Sequence, residues 1–429
     1  MGMKVFLVFF ICLILSLPIG VAIGIASFLP GWVVPGFPAD VQYVIRGMLG
    51  GLDVTPILAV PLFILSGAIM AKGGLSEKLF NVFAYFFGNK TAGIPIAVII
   101  TCMFYGAISG SGIATTAAVG GMTLPLMIAL GYDKVFSGAL VATAGGLGVI
   151  IPPSIPFIIY ALATGTSVGA LFIAGIIPGI IIALSLMIYA YVYAKRKGED
   201  REKIMANYNA LRAKGFRRLF MDSFWALLTP IIILGGIYSG IVTPTEAAAI
   251  SVFYSLIVCV FIYKSLPIKN IIPILRETVK SLAPLIFLLA FAVVFGRILT
   301  FLRVPDSLGH FLASMFPGKF SLLAAVLVAL LIMGMFMDVG PALMILAPIL
   351  MPVILQMGVD PVHFGIIMTM CLAIGFVTPP FGVNLFVAAP LIQTPVGELG
   401  KKALPFVGAF LAALLLVTYI PWLSLLLIS

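Results

Sequence analysis

Four long stretches without a charged side chain dominate this sequence. Residues 5–39, 91–132, 135–194 and 403–429 contain no Asp, Glu, Lys or Arg. Each exceeds the roughly 20 apolar residues that cross the hydrocarbon core of a bilayer as a helix. Of all residues, 62% are hydrophobic and 9% are charged, whereas an average soluble domain carries about 25% charged residues. The chain is therefore predicted to be an all-α polytopic membrane protein.

The N-terminal apolar run is predicted to be retained as a helix. It covers about 25 residues, which is longer than the roughly 7–15 residues of a cleaved signal sequence. We place the first helix at residues 4–29 and expect it to bend near Pro18 and Gly20.

The densest charge lies in residues 195–218, where nine residues are Lys or Arg. The positive-inside rule makes this segment a cytoplasmic linker between helices, and not a nucleic-acid site. Counting predicted crossings outward from it places the N-terminus in the cytoplasm and the C-terminus outside. Of the 24 basic residues, only four then lie outside: Arg46, Arg297, Arg303 and Lys319.

An internal repeat relates the two halves at an offset of 227 residues. Pro125, Gly131, Asp133, Gly148, Pro152 and Pro153 correspond to Pro352, Gly358, Asp360, Gly375, Pro379 and Pro380. The predicted units are a first repeat (1–194), the linker (195–222) and a second repeat (223–429). Each repeat has a re-entrant hairpin (91–132, 320–359) followed by a broken helix (133–163, 361–391). Five predicted crossings separate the hairpins, so the repeats have opposite orientations, as is typical of secondary transporters.

The first hairpin tip reads Ser109-Gly110-Ser111-Gly112, with Thr115 close behind. Serine and glycine in the middle of an apolar segment can turn the chain and free backbone carbonyls. Such oxygens suit a hard cation when they are buried in protein. The alternative is a small-residue contact between two full-length helices.

The first broken helix is interrupted at Pro152-Pro153-Ser154. Adjacent prolines remove two amide donors and disfavour helix just before them, so carbonyls are left free for a cation. A simple kink is the alternative.

The second repeat offers a matching tip and break. Asp338 lies at the tip between Gly334 and Gly340, and an ionisable residue at this depth is a functional candidate. It could ligate a cation or cap the returning half-helix. The second break contains four further candidates for the cation site, and Asn384 follows it. They are Thr378, Pro379, Pro380 and Gly382. Substrate would lie between the two cation sites, with Ser154 and Asn384 as candidate contacts.

Arg297 and Arg303 precede the second hairpin on the predicted outer side. Either could bind a substrate carboxylate as a fork, or extend to the membrane interface without binding substrate. Sparsely charged stretches at about 40–52, 75–88 and 304–316 are predicted to be interfacial helices that link a moving domain to a fixed one.

Several motifs in order resemble the large membrane subunit of tripartite ATP-independent periplasmic (TRAP) transporters. They are AISGSGxAT (107–115), LGVIIPPSI (147–155), LFxAGIxPG (171–179), VTPTEAAA (242–249) and TPPFG (378–382). The resemblance covers nearly the whole chain.

The resemblance implies a bacterial inner-membrane subunit that imports an organic acid, such as a C4-dicarboxylate or a sialic acid, with about two or more sodium ions per cycle. It implies an elevator-type transport domain on a scaffold, a periplasmic substrate-binding protein and a small four-helix membrane subunit, and no organic cofactor. The sodium sites would be Ser109 to Gly112 with Pro152 to Ser154, and Asp338 to Gly340 with Thr378 to Gly382. Because the chain begins directly at the large subunit, the small subunit is expected to be separate.

Two other functions compete with this one. A self-sufficient anion–sodium symporter of similar fold would need no binding protein. An intramembrane enzyme would need a nucleophile–base pair or a metal constellation within the membrane, and the sequence offers neither. We therefore predict a transporter and not an enzyme.

Overall fold

The described part of the chain is mostly helical. The structure, a computed structural model, describes residues 1–316 and 318–428, leaving aside the side chains of Met3, His310 and Ala313. The helices up to the linker are Gly2–Ile14 (α1), Ile19–Val33 (α2), Val41–Leu52 (α3), Ala59–Lys72 (α4), Leu75–Phe87 (α5), Gly93–Ser109 (α6), Gly112–Ala129 (α7), Lys134–Gly145 (α8), Ile155–Thr164 (α9) and Val168–Lys197 (α10). Within the described ranges no strand occurs, and the predicted all-α fold is confirmed.

The remaining helices follow the linker. They are Arg201–Ala213 (α11), Phe216–Tyr238 (α12), Pro244–Leu256 (α13), Ile271–Phe301 (α14), Val304–Met315 (α15), Lys319–Phe336 (α16), Val339–Gln356 (α17), Pro361–Gly375 (α18), Val383–Leu391 (α19), Val396–Tyr419 (α20) and Trp422–Leu425 (α21). A π-helical turn, Ile257–Ile262, extends α13. The three predicted interfacial stretches form α3, α5 and α15.

Nine helical segments in the described ranges are long and apolar enough to cross a bilayer. The longest helices are α10 with 30 residues and α14 with 31 residues. At 1.5 Å per residue each extends about 45 Å, which exceeds the roughly 30 Å hydrocarbon core. The ends of α10 and α14 therefore reach into the interfaces.

The first hairpin, α6 and α7, returns to the side from which it entered. The backbone N–H of Ala92, before α6, donates to Oε1 of Glu199 over 3.0 Å. The hydroxyl of Tyr132, after α7, donates to the same oxygen over 2.6 Å. One carboxylate from the linker thus binds both ends of the hairpin, so the ends lie side by side. This side chain is only 2% exposed, and Arg201 Nη2 lies 3.6 Å from its second oxygen.

The second hairpin, α16 and α17, is also re-entrant. Lys319 Nζ, at the start of α16, donates to the carbonyl oxygen of Gly358, after α17, over 2.9 Å. This lysine is exposed, in contrast to the buried Glu199 carboxylate that joins the ends of the first hairpin. Both predicted hairpins are therefore present, but their open ends are held together by different chemistry.

The two halves interlock through their return arms and broken helices. In the first half α7 packs against α19 of the second half, and in the second half α17 packs against α9 of the first. The two long helices α10 and α20 pack against each other as well. Asp133 and Asp360, which the repeat offset relates, cap α8 and α18 by accepting backbone N–H donors. The hairpins and broken helices thus form one packed unit.

The predicted first helix, residues 4–29, is wrong. The chain forms two helices, α1 and α2, separated at Ser16, whose φ is +60°. The N–H of Leu17 donates to the carbonyl of Cys12 over 3.0 Å and closes the end of α1. Pro18 then sits directly before α2, where it does not interrupt the helical hydrogen bonds.

The helices α1 and α2 run in opposite directions, as their contacts with α14 show. Neighbouring pairs are Gly2 with Val304 and Phe9 with Phe295 for α1, and Gly20 with Phe287 and Gly24 with Phe291 for α2. Helix α2 is therefore parallel to α14, because residue numbers rise in the same direction along both. Helix α1 is antiparallel to α14, because its residue numbers rise as those of α14 fall. The N-terminus therefore lies on the same side of the fold as the start of α15, and two antiparallel helices replace the single crossing predicted for residues 4–29.

We expect Glu199→Ala to destabilise the first hairpin. The substitution leaves the Ala92 N–H and the Tyr132 hydroxyl without their acceptor, at about 1–3 kcal/mol for each unpaired buried donor. The midpoint of thermal unfolding in detergent should fall for this variant. Glu202→Ala, which removes an exposed carboxylate three residues away, is the control and should leave the midpoint unchanged. Equal midpoints for both variants would contradict the assigned role.

Candidate functional site

The first hairpin tip is a two-residue turn between α6 and α7. Gly110 has φ +61°, a conformation that glycine adopts without strain, and Ser111 is extended with φ −137°. The Ser111 hydroxyl accepts the backbone N–H of Ala114 over 3.4 Å and caps α7. Helix α7 therefore begins inside the protein, at the predicted tip of the first hairpin.

Three oxygen atoms cluster at this tip. Ser109 Oγ lies 3.0 Å from Thr115 Oγ1, and these hydroxyls lie 3.3 Å and 2.8 Å from the carbonyl oxygen of Ser111. The side chains of Ser109 and Thr115 are 2% and 0% exposed. Each hydroxyl can donate one hydrogen bond and still present lone pairs to a cation. The cluster is therefore a neutral, buried set of hard ligands.

The first broken helix meets the hairpin tip at its interruption. After α8 the chain forms a 3₁₀ turn, Gly146–Val149, passes through a cis Pro152–Pro153 bond and resumes as α9. The N–H of Ile155 donates to the carbonyl of Gly110 over 3.3 Å. The predicted residues of the first site are thus brought together.

Gly148 makes this contact possible. A Cβ at this position would lie 2.4 Å from Thr115 Oγ1 and 2.7 Å from the Ser111 carbonyl oxygen. Both distances are too short for a real side chain. Ser154 lies beyond the prolines, is fully buried and accepts the N–H of Phe157 over 3.3 Å as the cap of α9. Its hydroxyl also donates to the carbonyl oxygen of Val149, so it already makes two hydrogen bonds within the protein.

The second tip is built around Asp338. Met337 and Asp338 are extended, and the Asp338 carboxylate accepts the N–H of Val339 over 2.8 Å at the start of α17. The predicted capping role is therefore present, and the side chain remains exposed on the surface of the chain. Gly340 follows in α17, where a Cβ would lie 3.4 Å from Ile159 of α9.

The second tip also contacts its own broken helix. A Cβ at Gly375 would lie 2.1 Å from the carbonyl oxygen of Gly334, so α16 and α18 touch backbone to backbone. Gly375 and Gly148 are related by the repeat offset, and both occupy the contact between tip and break. The predicted second set therefore also comes together at its backbone.

Beyond Gly375 the chain is irregular until α19. Thr378 Oγ1 donates to the carbonyl of Ile374 over 2.7 Å, the Pro379–Pro380 bond is cis, and Gly382 has φ +47°. These features repeat the first break in outline. Both hydroxyls donate back to a carbonyl that precedes the break, but only the Ser154 hydroxyl also caps the helix that follows.

Asn384 lies buried between the two halves. Its Nδ2 donates to the carbonyl of Ala142 in α8 over 2.9 Å, while its Oδ1 has no hydrogen-bond partner among the described residues. The Thr116 hydroxyl, which we did not assign from the sequence, is likewise buried and unpaired there, against Gly145 of α8. Two buried side-chain oxygens without a hydrogen-bond partner among the described residues therefore belong to residues that contact α8.

The two tips differ in chemistry at related positions. Ser109 and Ser154 of the first half correspond to Phe336 and Phe381, and Ser111 corresponds to Asp338. The two phenylalanine rings are exposed, and their centroids lie 5.9 Å apart. The first site is therefore neutral and rich in hydroxyls, whereas the second has one carboxylate beside an aromatic pair.

Arg297 and Arg303 lie outside these tip regions. Arg297 lines a cavity with Arg46, between α3 and α14. Arg303 precedes α15 in a left-handed conformation with φ +51°. Neither residue contacts a hairpin tip, so the structure does not bring them together with the other predicted site residues.

Re-entrant hairpins that meet broken helices inside a polytopic helical protein define a membrane transport protein. The family described as "Tripartite ATP-independent periplasmic transporter, DctM component" matches residues 6–423, and the chain belongs to this family. The resemblance stated from the motifs is confirmed, as is the prediction of a transporter and not an enzyme.

Relatives of the chain are named as transporters of different substrates. The isethionate TRAP transporter permease protein DctMQ of Oleidesulfovibrio alaskensis is 43% identical, covering 96% of this chain but only 64% of that protein. The C4-dicarboxylate TRAP transporter large permease protein DctM of Pseudomonas aeruginosa is 40% identical, covering 86% of this chain and 85% of that protein. The sialic acid TRAP transporter large permease protein SiaM of Vibrio cholerae is 35% identical, covering 90% of this chain and 89% of that protein.

Two solved structures share the fold at low sequence identity. The YdaH transporter of Alcanivorax borkumensis gives a TM-score of 0.61 at 15% identity and covers 94% of this chain and 96% of that chain. MtrF of Neisseria gonorrhoeae gives a TM-score of 0.63 at 14% identity and covers 94% of this chain and 93% of that chain. These similarities concern the architecture alone.

We expect Gly148→Ala to separate the first tip from its break. The added methyl group would overlap Thr115 Oγ1 and the Ser111 carbonyl, so the tip must move. Transport should be lost or reduced at least about tenfold, corresponding to about 1.4 kcal/mol. Gly408→Ala in α20, where a Cβ meets open space, is the control and should transport normally. Normal uptake by Gly148→Ala at wild-type abundance would contradict this account.

Proposed function

We propose that the chain performs sodium-coupled import of an organic acid. The observation that carries the proposal is the buried oxygen cluster of Ser109, Ser111 and Thr115 at the first hairpin tip. Neutral hydroxyl and carbonyl oxygens are ligands for hard cations, and unwound backbone at half-helix ends holds coupling ions in secondary transporters. The function thus rests on a cation held where a tip meets a broken helix.

Sodium suits these ligands better than a transition metal. Among the described residues no group of three or more His, Cys, Asp or Glu side chains is close enough to hold a metal ion. The first site would use Ser109 to Gly112, Thr115 and Pro152 to Ser154. The second would use Gly334, Asp338 to Gly340 and Thr378 to Gly382, with the Asp338 carboxylate as its charged ligand. Two tips with two breaks therefore correspond to about two sodium ions per cycle.

The substrate is proposed to be an organic anion held between the two sites. Isethionate, C4-dicarboxylates and sialic acid, the substrates named for the relatives, are all organic acids. The N-terminal ends of α7 and α17 begin within the protein, and helix N-termini favour negative charge. Asn384, with an unpaired buried oxygen, is the candidate polar contact. Ser154 contributes less, because its hydroxyl already caps α9.

An elevator-type movement agrees with the packing. The hairpins and broken helices hold one another through α7–α19 and α17–α9 contacts. Small residues lie at the contacts between the tips and the surrounding helices. A Cβ at Gly67 of α4 would lie 3.0 Å from Ser109 Cα, and Gly340 lies beside Leu285 of α14. We propose that the interlocked unit carries substrate past α4 and α14 as one body.

The proposed partners are a periplasmic substrate-binding protein and a small four-helix membrane subunit. A tripartite transporter has further components by its name. The chain spans 64% of the relative called DctMQ, so the small subunit is proposed as a partner whether it is separate or joined to the chain. The membrane is proposed to be the bacterial inner membrane, with the basic linker in the cytoplasm. Because two antiparallel helices replace the single crossing predicted for residues 4–29, both termini are proposed to lie on the periplasmic side.

Reconstitution tests this function against its main competitor. Liposomes containing the chain, the small subunit and the binding protein should accumulate one acid from a panel of sulfonates, dicarboxylates and sialic acid when an inward sodium gradient is applied. Uptake should disappear without the gradient or without the binding protein. Saturable sodium-driven uptake by the chain alone would instead identify a self-sufficient anion–sodium symporter. Uptake that does not depend on the sodium gradient would refute the proposed sodium coupling.

We expect Thr115→Val to raise the sodium concentration needed for half-maximal uptake by several-fold. The substitution removes one oxygen from the first cluster while keeping the shape of the side chain. Thr101→Val is a matched control in the same hairpin. Thr101 is equally buried, and its hydroxyl bonds the carbonyl four residues earlier, as that of Thr115 does. The same sodium response in both variants would remove Thr115 from the cation site.

We expect Asp338→Asn to weaken sodium coupling while preserving the fold. The amide oxygen can still accept the Val339 N–H, so the cap of α17 survives, but the negative charge is lost. Sodium half-saturation should rise at least about tenfold with abundance unchanged. Asp306→Asn, at an exposed position in α15, serves as the control. An unaltered sodium dependence in Asp338→Asn would leave this residue as a helix cap only.

A further inference from the structure

A cavity of about 410 Å³ lies between α3 and α14, away from both hairpin tips. Its lining includes two arginines, Arg46 of α3 and Arg297 of α14, together with Asp40, Gln42 and Tyr43. These arginines are two of the four basic residues that the charge count places outside the cytoplasm. The proposed transport cycle uses neither of them.

Close packing of the two helices brings the arginines to one cavity. A Cβ at Gly47 would lie 2.8 Å from Val294, and a Cβ at Gly51 would lie 2.9 Å from Val293. Without side chains at these positions, α3 lies directly on α14. Arg46 is the neighbour of Gly47 in sequence. On α14 the next turn after Val294 carries Arg297, so the two guanidinium groups border the same space.

The positive charges in this cavity are only partly offset by the protein. Arg46 and Arg297 are exposed, and neither forms an ion pair with any residue in the described ranges. Asp40 is the acidic group in the lining, and its Oδ1 accepts the N–H of Tyr43 over 2.7 Å at the start of α3. The three ionised side chains together carry a net charge of +1. One monoanion would balance them.

The surroundings place the cavity at a membrane interface. Aromatic side chains, which favour the headgroup level, surround it: Tyr43 and Phe37 pack against the exposed ring of Phe301. Val41, Ile45 and Leu49 form an exposed apolar stripe along α3, at the spacing of one helical face. A ligand here would meet charge in the cavity and hydrocarbon beside it.

We infer that this cavity binds the phosphodiester of a membrane phospholipid, with Arg46 and Arg297 as its ligands. A guanidinium group donates two parallel hydrogen bonds to a phosphate, so two arginines can hold one headgroup from two sides. The single negative charge of a phosphodiester matches the net charge of the lining. The acyl chains would cover Val41, Ile45 and Leu49. The lipid would thereby join α3 to α14 at the interface.

Native mass spectrometry of the full-length chain in mild detergent tests this site, with phosphatidylglycerol as the probe. Wild-type protein should retain one phosphatidylglycerol that the double variant Arg46→Gln/Arg297→Gln binds at least about tenfold more weakly. Arg303→Gln, an exposed arginine outside the cavity, should bind like wild type. Diacylglycerol, which has the same acyl chains without phosphate, should not occupy the site.

Three outcomes would overturn the inference. The first is equal lipid retention in the double variant and in Arg303→Gln. The second is binding of diacylglycerol as tight as that of phosphatidylglycerol. The third is loss of a co-purifying membrane subunit from the double variant while its lipid retention is unchanged. The last outcome would make the cavity a protein docking surface. Arg46→Lys/Arg297→Lys keeps the charge but not the fork, and should give intermediate binding if the protein is folded and the phosphate is the ligand.

Discussion

Two backbone-to-backbone contacts, at Gly148 and at Gly375, position the rest of the candidate site. At each of them a broken helix lies so close to a hairpin that a single methyl group would not fit. The polar groups freed at a helix break cannot be left facing lipid, because an unsatisfied group there costs several kcal/mol. Burying each break against a tip meets that requirement and, by the same contact, gathers oxygen atoms into a confined space. Stability and ligand binding therefore depend on the same surfaces.

The sequence predicted the features that depend on backbone chemistry. Prolines and glycines that match at one offset located both hairpins and both breaks. Proline restricts the backbone conformation and glycine widens it, whichever residues lie nearby in the fold. The sequence did not reveal the turn at Ser16, because a serine with positive φ leaves no signal comparable to glycine. The bent helix predicted for residues 4–29 was wrong for that reason.

Side-chain placement across the fold was harder to predict. Arg297 was a candidate for substrate binding, yet it faces Arg46, which lies more than two hundred residues earlier in the chain. Only the close packing of α3 on α14 brings them to one cavity. Glu199 was counted merely as part of a charged linker, although its buried carboxylate joins both ends of the first hairpin. Burial and the Glu199 carboxylate raise the pKa of Tyr132, so its hydroxyl remains a donor.

The position of Glu199 bears on how such a repeated architecture can be divided. The predicted first unit ends at residue 194, where the basic linker begins, but the acceptor that joins its hairpin ends, Glu199, lies five residues further on. The corresponding bond in the other unit comes from Lys319, at the start of its own hairpin. The predicted first unit therefore lacks the acceptor that joins its hairpin ends, whereas the predicted second unit contains both partners of the corresponding bond. Cutting the chain at the predicted boundary would separate the first hairpin from this acceptor, so the beginning of the linker belongs structurally to the first hairpin.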